Sequence, residues 1–280
     1  MKIITNEMIK NFKVHLMNEE KSDATIEKYS HDINVFHLWC NGREIEKSLV
    51  LEYKQYLIGK YAPASVNSHI SSLNSFFEYM DWYDCKVKTL KIQKQIFASK
   101  DKELTRGEYE RLLKAAKDKQ NERLYLVMQT ICSTGIRVSE LKFITAEALK
   151  CGQASVSCKG KLRIVLLPKR LCKMLREYIK KHRITSGSVF VTRNGKPLDR
   201  TNIWSDMKKL CERANVLKEK VFPHNLRHLF ARTYYSVQKD VVRLADILGH
   251  SNVNTTRIYT IETGEIHRSQ IERLGLLRYR

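Results

Sequence analysis

Apolar residues in the first hundred positions recur at helical spacing. From Thr25 onward, Ile26, Tyr29, Ile33, Phe36 and Trp39 follow at steps of three or four, which places them on one face of a helix. Ser22 or Asp23 stands where a cap would open that helix, and Asn41-Gly42 stands where it would close. A second stripe, Val66, Ile70, Leu73, Phe76, Phe77 and Met80, predicts a helix over about 64–80. Weaker periodicity points to helices near 6–18 and 48–58. Together these elements predict a small helical bundle. The stretch KIQKQIFASKDK, residues 91–102, is polar and basic and lacks periodicity. The linker is placed at 93–102, between a helical domain over 1–92 and a second domain over 103–280.

The second domain opens on Thr105 with Glu108 three residues later, the pattern of a capping box. Helices are predicted near 107–118, 121–133, 137–143, 170–182, 200–214, 225–237 and 240–248. Ala154–Ser157 and Leu162–Leu166 flank Lys159-Gly160, which predicts a β-hairpin, and Ser188–Val191 is a further candidate strand. The expected fold class is therefore mainly α with a small β-sheet. The four prolines of the chain suit that reading.

Charge changes the picture. The chain of 280 residues has 51 Lys+Arg against 30 Asp+Glu, a formal charge of +21. Residues 1–100 carry 14 basic and 12 acidic side chains, and residues 101–280 carry 37 and 18. So uneven an excess points to a polyanion, because clustered cations gain affinity by releasing counterions from phosphates. The alternative is a solvated basic surface. No apolar run approaches a membrane span, and the opening MKIITNEMIKNFKVHL lacks a signal-peptide pattern. The seven cysteines include no Cys-x-x-Cys pair and read as reduced thiols of a cytoplasmic protein.

Several chemistries lack their residues. There is no Gly-Lys-Thr phosphate loop for ATP, no zinc-spaced His/Cys cluster and no obvious carboxylate set for two-metal catalysis. His224 and His228 stand four apart, but Asn225 occupies the position where a metalloprotease carries its glutamate. No metal and no cofactor is expected.

Four segments of the basic half could carry chemistry. In TGIRVSEL, residues 134–141, Gly135 permits an unusual turn and Arg137 opens a helix, where the helix dipole disfavours a cation unless it faces an anion. The plainer reading pairs Arg137 with Glu140 in solvent. In SCKGKLR, residues 157–163, Lys159 at a hairpin tip either reaches a bound backbone or is a solvated turn. In FPHNLRHLFA, residues 222–231, Pro223 suits a helix start. His224 and Arg227 lie three apart with His228 close by, either converging on an anion or as ordinary polar positions. In LGHSNVNTTRIYT, residues 248–260, Gly249 stops a helix and His250 follows in the turn. Asn254 or Thr255 is placed to cap a short helix bearing Arg257 and Tyr259. Taken alone, Tyr259 reads as an edge-of-core residue.

In order, these segments resemble the tyrosine recombinase family, also called phage-type integrases, over essentially the whole chain. Among its members the chain looks most like the short bacterial ones, Xer-like recombinases and the integrases of mobile elements. The resemblance extends to Thr25, Tyr29, Asp32, Phe36 and Trp39, which match the first long helix of the family's N-terminal core-binding (SAM-like) domain. It implies an α/β tyrosine-recombinase catalytic domain in the second half. It also implies a site-specific recombinase that cuts and rejoins double-stranded DNA through a 3′-phosphotyrosine. Tyr259 would be the nucleophile, with Arg137 and Arg227 clamping the scissile phosphate and nearby arginines favouring the phenolate. His224 would be the general base, Lys159 would protonate the leaving 5′ oxygen, and His250 would donate to a non-bridging oxygen. Glu140 and His228 would brace the site. The ester conserves the bond energy, so rejoining needs neither ATP nor metal, in accord with the missing motifs. The family also implies a monomer in solution that assembles as a tetramer on DNA, with the tail IHRSQIERLGLLRYR, 266–280, docking either on its own domain or on a neighbour. Ser65, Asn67, Ser68 and His69 stand where relatives often carry basic residues. Two rival readings are a DNA-binding regulator without chemistry and a topoisomerase sharing the chemistry.

Overall fold

The computed structural model describes residues 1–92, 102–158, 161–259, 272–274 and 276. It divides into two compact units, Met1–Lys94 and Gln95–Arg280.

The described residues of the first unit form four α-helices, α1 (Asn6–Asn18), α2 (Asp23–Cys40), α3 (Lys47–Lys60) and α4 (Pro63–Tyr79), followed by a 3₁₀ turn, Tyr83–Cys85. Ser22 holds the N-cap position of α2, yet its hydroxyl bonds Thr25 Oγ1 at 2.9 Å rather than a backbone N–H. Asn41 ends the helix in the left-handed conformation (φ +50°) that asparagine tolerates. The stripes read from the sequence meet in one core: Phe12 and Leu16, Ile33 and Phe36, Val50 and Tyr53, Ile70, Phe76 and Phe77 are all buried. Each such side chain contributes on the order of 1.5–3 kcal/mol. Asp32 is buried among them. Ser72 Oγ donates to it at 2.6 Å, Lys28 pairs with it, and His69 Nδ1 lies 3.2 Å away. A buried carboxylate needs such partners, because desolvation without them would cost several kcal/mol. Asn67 brackets the Leu90 main chain (Nδ2 to O 3.0 Å, N to Oδ1 2.7 Å), and Asn74 does the same at Val87. The polar residues Asn67 and His69, which replace the expected basic ones, are thus engaged inside the unit.

The second unit runs α5 (Arg106–Asp118), α6 (Glu122–Thr134), a 3₁₀ turn (Val138–Phe143), α7 (Ala146–Cys151), β1 (Gln153–Cys158), β2 (Lys161–Leu166), α8 (Lys169–Lys181), α9 (Arg200–Lys208), α10 (Cys211–Ala214), α11 (Pro223–Gln238) and α12 (Val241–Leu248). The capping box expected at Thr105 and Glu108 is formed. Leu124, Val127, Met128 and Ile131 bury α6 in the core, where α11 packs on it through Leu226 and Leu229.

Three local expectations are corrected, and one element not expected is found. Residues 137–143 form a 3₁₀ turn, not an α-helix, and Arg137 is its cap because Glu140 folds back onto the Arg137 N–H. The helix expected over 200–214 breaks between Lys208 and Cys211. Among the described residues Ser188–Val191 makes only isolated bridges, Thr145 to Ser188 and Val191 to Pro197, the latter flanked by the Thr192 N–H to Lys196 O and Leu198 N–H to Phe190 O bonds. The six-residue α7, between its Thr145 cap and Gly152, is too short for periodicity to reveal.

β1 and β2 pair antiparallel, with Ser155 opposite Ile164 and Val156 opposite Arg163. The phase of β2 is unexpected: Leu162, Ile164 and Leu166 are 80%, 59% and 73% exposed, whereas Arg163 and Val165 face inward. Lys159 and Gly160, at the expected hairpin tip, lie outside the described residues, as does most of 266–280. Among the described residues, no helix is long and apolar enough to cross a membrane.

Candidate active site

The second unit brings five of the six singled-out side chains together: Arg137, His224, Arg227, His250 and Tyr259. The sixth, Lys159, lies outside the described residues. Arg227, on α11, is the hub. It is only 1% exposed, and its guanidinium reaches three acceptors: Gly135 O, Leu248 O at 2.7 Å and His250 Nε2 at 3.0 Å. Gly135 and Leu248 end α6 and α12, so Arg227 takes up main-chain carbonyls left without helical partners. Burial and the charge of Arg137 pull its pKa down to about 10, which leaves it a cation at neutral pH.

Gly135 makes this approach possible. Its φ is +64°, and a Cβ there would stand 2.5 Å from Phe230 Cδ1 and 2.9 Å from Leu248 Cδ2. Glycine alone meets both demands.

Arg137 donates from Nη1 to Glu140 Oε1 at 2.9 Å and from Nη2 to Gly249 O at 3.3 Å. Glu140, 1% exposed, also accepts Arg163 Nη2 at 2.6 Å. Burial alone would raise the Glu140 pKa, but hydrogen bonds from Arg163 and from the Arg137 backbone and side chain hold it below the usual carboxylate value. A cavity of about 420 Å³ opens beside these groups, lined by Arg137, Ser139, Arg200, Phe222, His224 and Arg227 among others. Three guanidiniums and an imidazole around one polar cavity suit an anion.

His250 resolves its own protonation state. Arginine nitrogens only donate, so His250 Nε2 must accept, and Nδ1 then carries the proton toward Thr256 Oγ1 at 2.8 Å. Burial, with Arg227 and Arg137, pushes its pKa down to about 4, consistent with a neutral ring. The donor role expected for His250 therefore requires Arg227 to release Nε2 first.

Tyr259 sits in a 3₁₀ turn, Arg257–Tyr259, packed with Ala231, Leu244 and Leu248. Asn254 and Thr255, the expected caps, lie within a separate preceding turn, Val253–Thr255, which is capped by Asn252, whose side chain accepts from the Asn254 N–H. The Tyr259 ring stands edge-on to His228, centroids 5.0 Å apart, and parallel to His250 at 6.3 Å. Burial raises its pKa and outweighs the nearby arginines, so the phenol stays protonated here. The arginines act in the expected direction, favouring the phenolate, but burial is the larger effect. His224 lies at the exposed end of the row, 4.5 Å from His228. Lost hydration and the charges of Arg227, Arg137 and Arg200 hold its pKa below the ordinary value, leaving it free to accept a proton. His228, also pushed down to about 4, thus stands between the expected base and the expected nucleophile.

Sequence reading missed Arg163 and Arg200. Arg163 lay within the segment singled out at 157–163, and its inward phase on β2 was the hidden signal. Arg200 follows the Asp199 cap of α9, with nothing local to mark it.

Comparison with known proteins bears on the whole chain. A model described as the phage integrase family matches residues 102–265, and one for a phage integrase N-terminal SAM-like domain matches 8–82. The chain belongs to the phage integrase family. Relatives within this tyrosine recombinase family include "Tyrosine recombinase XerA" of Thermococcus kodakarensis, 30% identical over 97% of this chain and 96% of that one. Another is "TnP I resolvase" of Bacillus thuringiensis, 26% identical over 91% and 95%. Among solved structures, the XerA recombinase is similar with a TM-score of 0.52 at 26% identity, covering 99% of this chain and 100% of that one. A lambda integrase(75-356) dimer bound to a COC′ core site shares the fold with a TM-score of 0.75 at 16% identity, covering 91% and 94%.

Proposed function

We propose that this integrase-family protein is a site-specific DNA recombinase that cleaves and rejoins double-stranded DNA through a 3′-phosphotyrosine intermediate. The observation that carries the reading is the convergence of Arg137, His224, Arg227, His250 and Tyr259 beside one cationic cavity.

In this reading Arg137 and Arg227 bind the scissile phosphate as planar forks and stabilise the pentacoordinate transition state more than the diester. Tyr259 Oη attacks phosphorus, and the bond to the 5′ oxygen breaks. His224 takes the phenol proton directly or across His228, and Lys159 protonates the leaving oxygen. His250 turns from Arg227 to a non-bridging oxygen when the phosphate displaces it. Rejoining reverses these steps with the 5′ hydroxyl of another strand, so neither ATP nor metal takes part.

Residues 1–92 act as the core-binding half, 93–102 as the joint and 103–280 as the catalytic half. The protein works in the cytoplasm as a monomer that assembles into a tetramer on DNA. Its setting is the integration or excision of a mobile element, or resolution of the Xer type. Support for DNA as partner comes from the charge excess and from a similar structure described as the Tn1549 transposon integrase in complex with transposon right end DNA.

The test is covalent capture. Nicked duplexes from a randomised library, or from the flanks of the gene, are incubated with the protein, and denaturation-resistant adducts are sequenced. Adducts are expected with the wild type and none with Tyr259→Phe. An adduct that survives in that variant removes Tyr259 as nucleophile.

A further inference from the structure

We infer that Arg163 is a positioning residue for phosphate binding, one that sets Arg137 and frees its charge for the DNA; the inference rests on the reading of the site just given. Arg163 projects inward from β2 and joins three elements. Its Nη2 bonds Glu140 Oε2 at 2.6 Å, and its Nη1 bonds Ile247 O at 2.6 Å near the end of α12. Its methylene stem lies over Gly249, where a Cβ would overlap Arg163 Cδ. Glycine at 249 is thus required by the φ of +67° and by this side chain together. The next residue is His250, and the Gly249 carbonyl receives Arg137 Nη2 at 3.3 Å. The hairpin, the Arg137 turn and the His250 loop are tied at one guanidinium.

Charge explains why the residue is an arginine. Glu140 is buried and ionised, and it holds Arg137 by both its backbone and its side chain, each at 2.9 Å. If Arg137 were its sole cation, the pair would be neutral and would attract a phosphate weakly. Arg163 supplies a second cation to the same carboxylate, leaving one net positive charge at the Arg137 end, which is a third exposed. A lysine would carry the charge but, as a point donor, could not span Glu140 and Ile247 O in the same planar geometry.

The experiment uses the full chain and a suicide duplex recovered from wild-type adducts. One version carries the natural phosphodiester at the cleaved position, and one carries a methylphosphonate, in which a methyl group replaces a charged oxygen. Arg163→Lys and Arg163→Gln are compared with the wild type after melting curves establish folding. On the phosphodiester, single-turnover cleavage falls by about 10²-fold in Arg163→Gln, the order expected for a misplaced binding group, and by less in Arg163→Lys. On the methylphosphonate the Arg163→Gln deficit shrinks at least tenfold and the smaller Arg163→Lys deficit shrinks with it, because the charge that Arg137 must match is gone. Equal deficits on both substrates make Arg163 a general strut and overturn the inference, as does wild-type cleavage by either variant. Failure of both variants to fold overturns it too, by making Arg163 part of the framework alone. A wild type that forms no adduct overturns the proposed function first, and this inference with it.

Discussion

Gly135→Ala probes the join between fold and site. The new methyl would keep a backbone φ of +64° and stand 2.5 and 2.7 Å from two Phe230 ring carbons and 2.9 Å from Leu248 Cδ2. The left-handed conformation costs a residue with a Cβ roughly 1–2 kcal/mol. Forcing a methyl into a packed core costs roughly a further 1–3 kcal/mol. The expected loss is therefore about 2–5 kcal/mol. Gly152→Ala is the matched control, for its φ is +71° but nothing lies within 4 Å of its would-be Cβ. It should lose only the conformational part, about 1–2 kcal/mol. Urea unfolding of both variants and the wild type measures the difference, with the midpoint shift read at constant slope. In melting temperature, each kcal/mol corresponds to roughly 2–4 °C for a domain of this size. A function readout should follow: the Gly135 carbonyl bears Arg227. The folded fraction of Gly135→Ala should therefore cleave DNA more slowly, while Gly152→Ala cleaves normally. Equal losses of stability in the two variants would refute the packing argument, and full cleavage by Gly135→Ala would refute the link to Arg227.

Other outcomes follow from the same geometry. Glu140→Gln leaves two guanidiniums without their shared anion and should destabilise the protein by about 3–5 kcal/mol at neutral pH. Because the folded Glu140 pKa lies below its unfolded value, its contribution is complete above that unfolded value and is lost as pH falls through the folded one. The acid limb of a stability profile should thus be shallower in Glu140→Gln, and parallel limbs would contradict this. His250 and His228, both pushed down to about 4, bind protons in the unfolded chain before they do in the folded one. Stability should consequently decline as pH drops from the ordinary histidine value, about 6.5, toward 4. Nitrogen NMR should find His250 as the Nδ1–H tautomer at neutral pH, and a proton on Nε2 would break the inferred bond from Arg227. In the first unit, Asn67→Ala should cost about 1–3 kcal/mol by leaving the Leu90 main-chain groups unpaired, as measured by chemical denaturation.

Local signals in the chain were sufficient for the longer helices of both units, though not for the six-residue α7 or the break between α9 and α10. Stripes such as Ile26 to Trp39 set which face is buried, and Thr105 with Glu108, or Gly249, set where helices begin and end, because capping is a matter of neighbours in sequence. The candidate chemistry was legible for the same reason: Arg137, His224, Arg227, His250 and Tyr259 sit in short, ordered segments. What a helix or strand faces is a different matter. Adjacent residues in sequence fall on opposite sides of β2, but that does not say which side is inside, so Leu162, Ile164 and Leu166 gave no warning that Arg163 takes the interior. Whether Tyr259 ionises depends on a balance between burial and guanidinium charge that exists only once α11, α12 and the final turns are packed. The sequence by itself determined most of the elements and the candidate reactive groups carried in ordered segments, through local spacing and capping. Only the tertiary structure decided which carbonyls hold Arg227, which proton His250 carries and which cation shares Glu140, because each depends on groups brought together from distant parts of the chain.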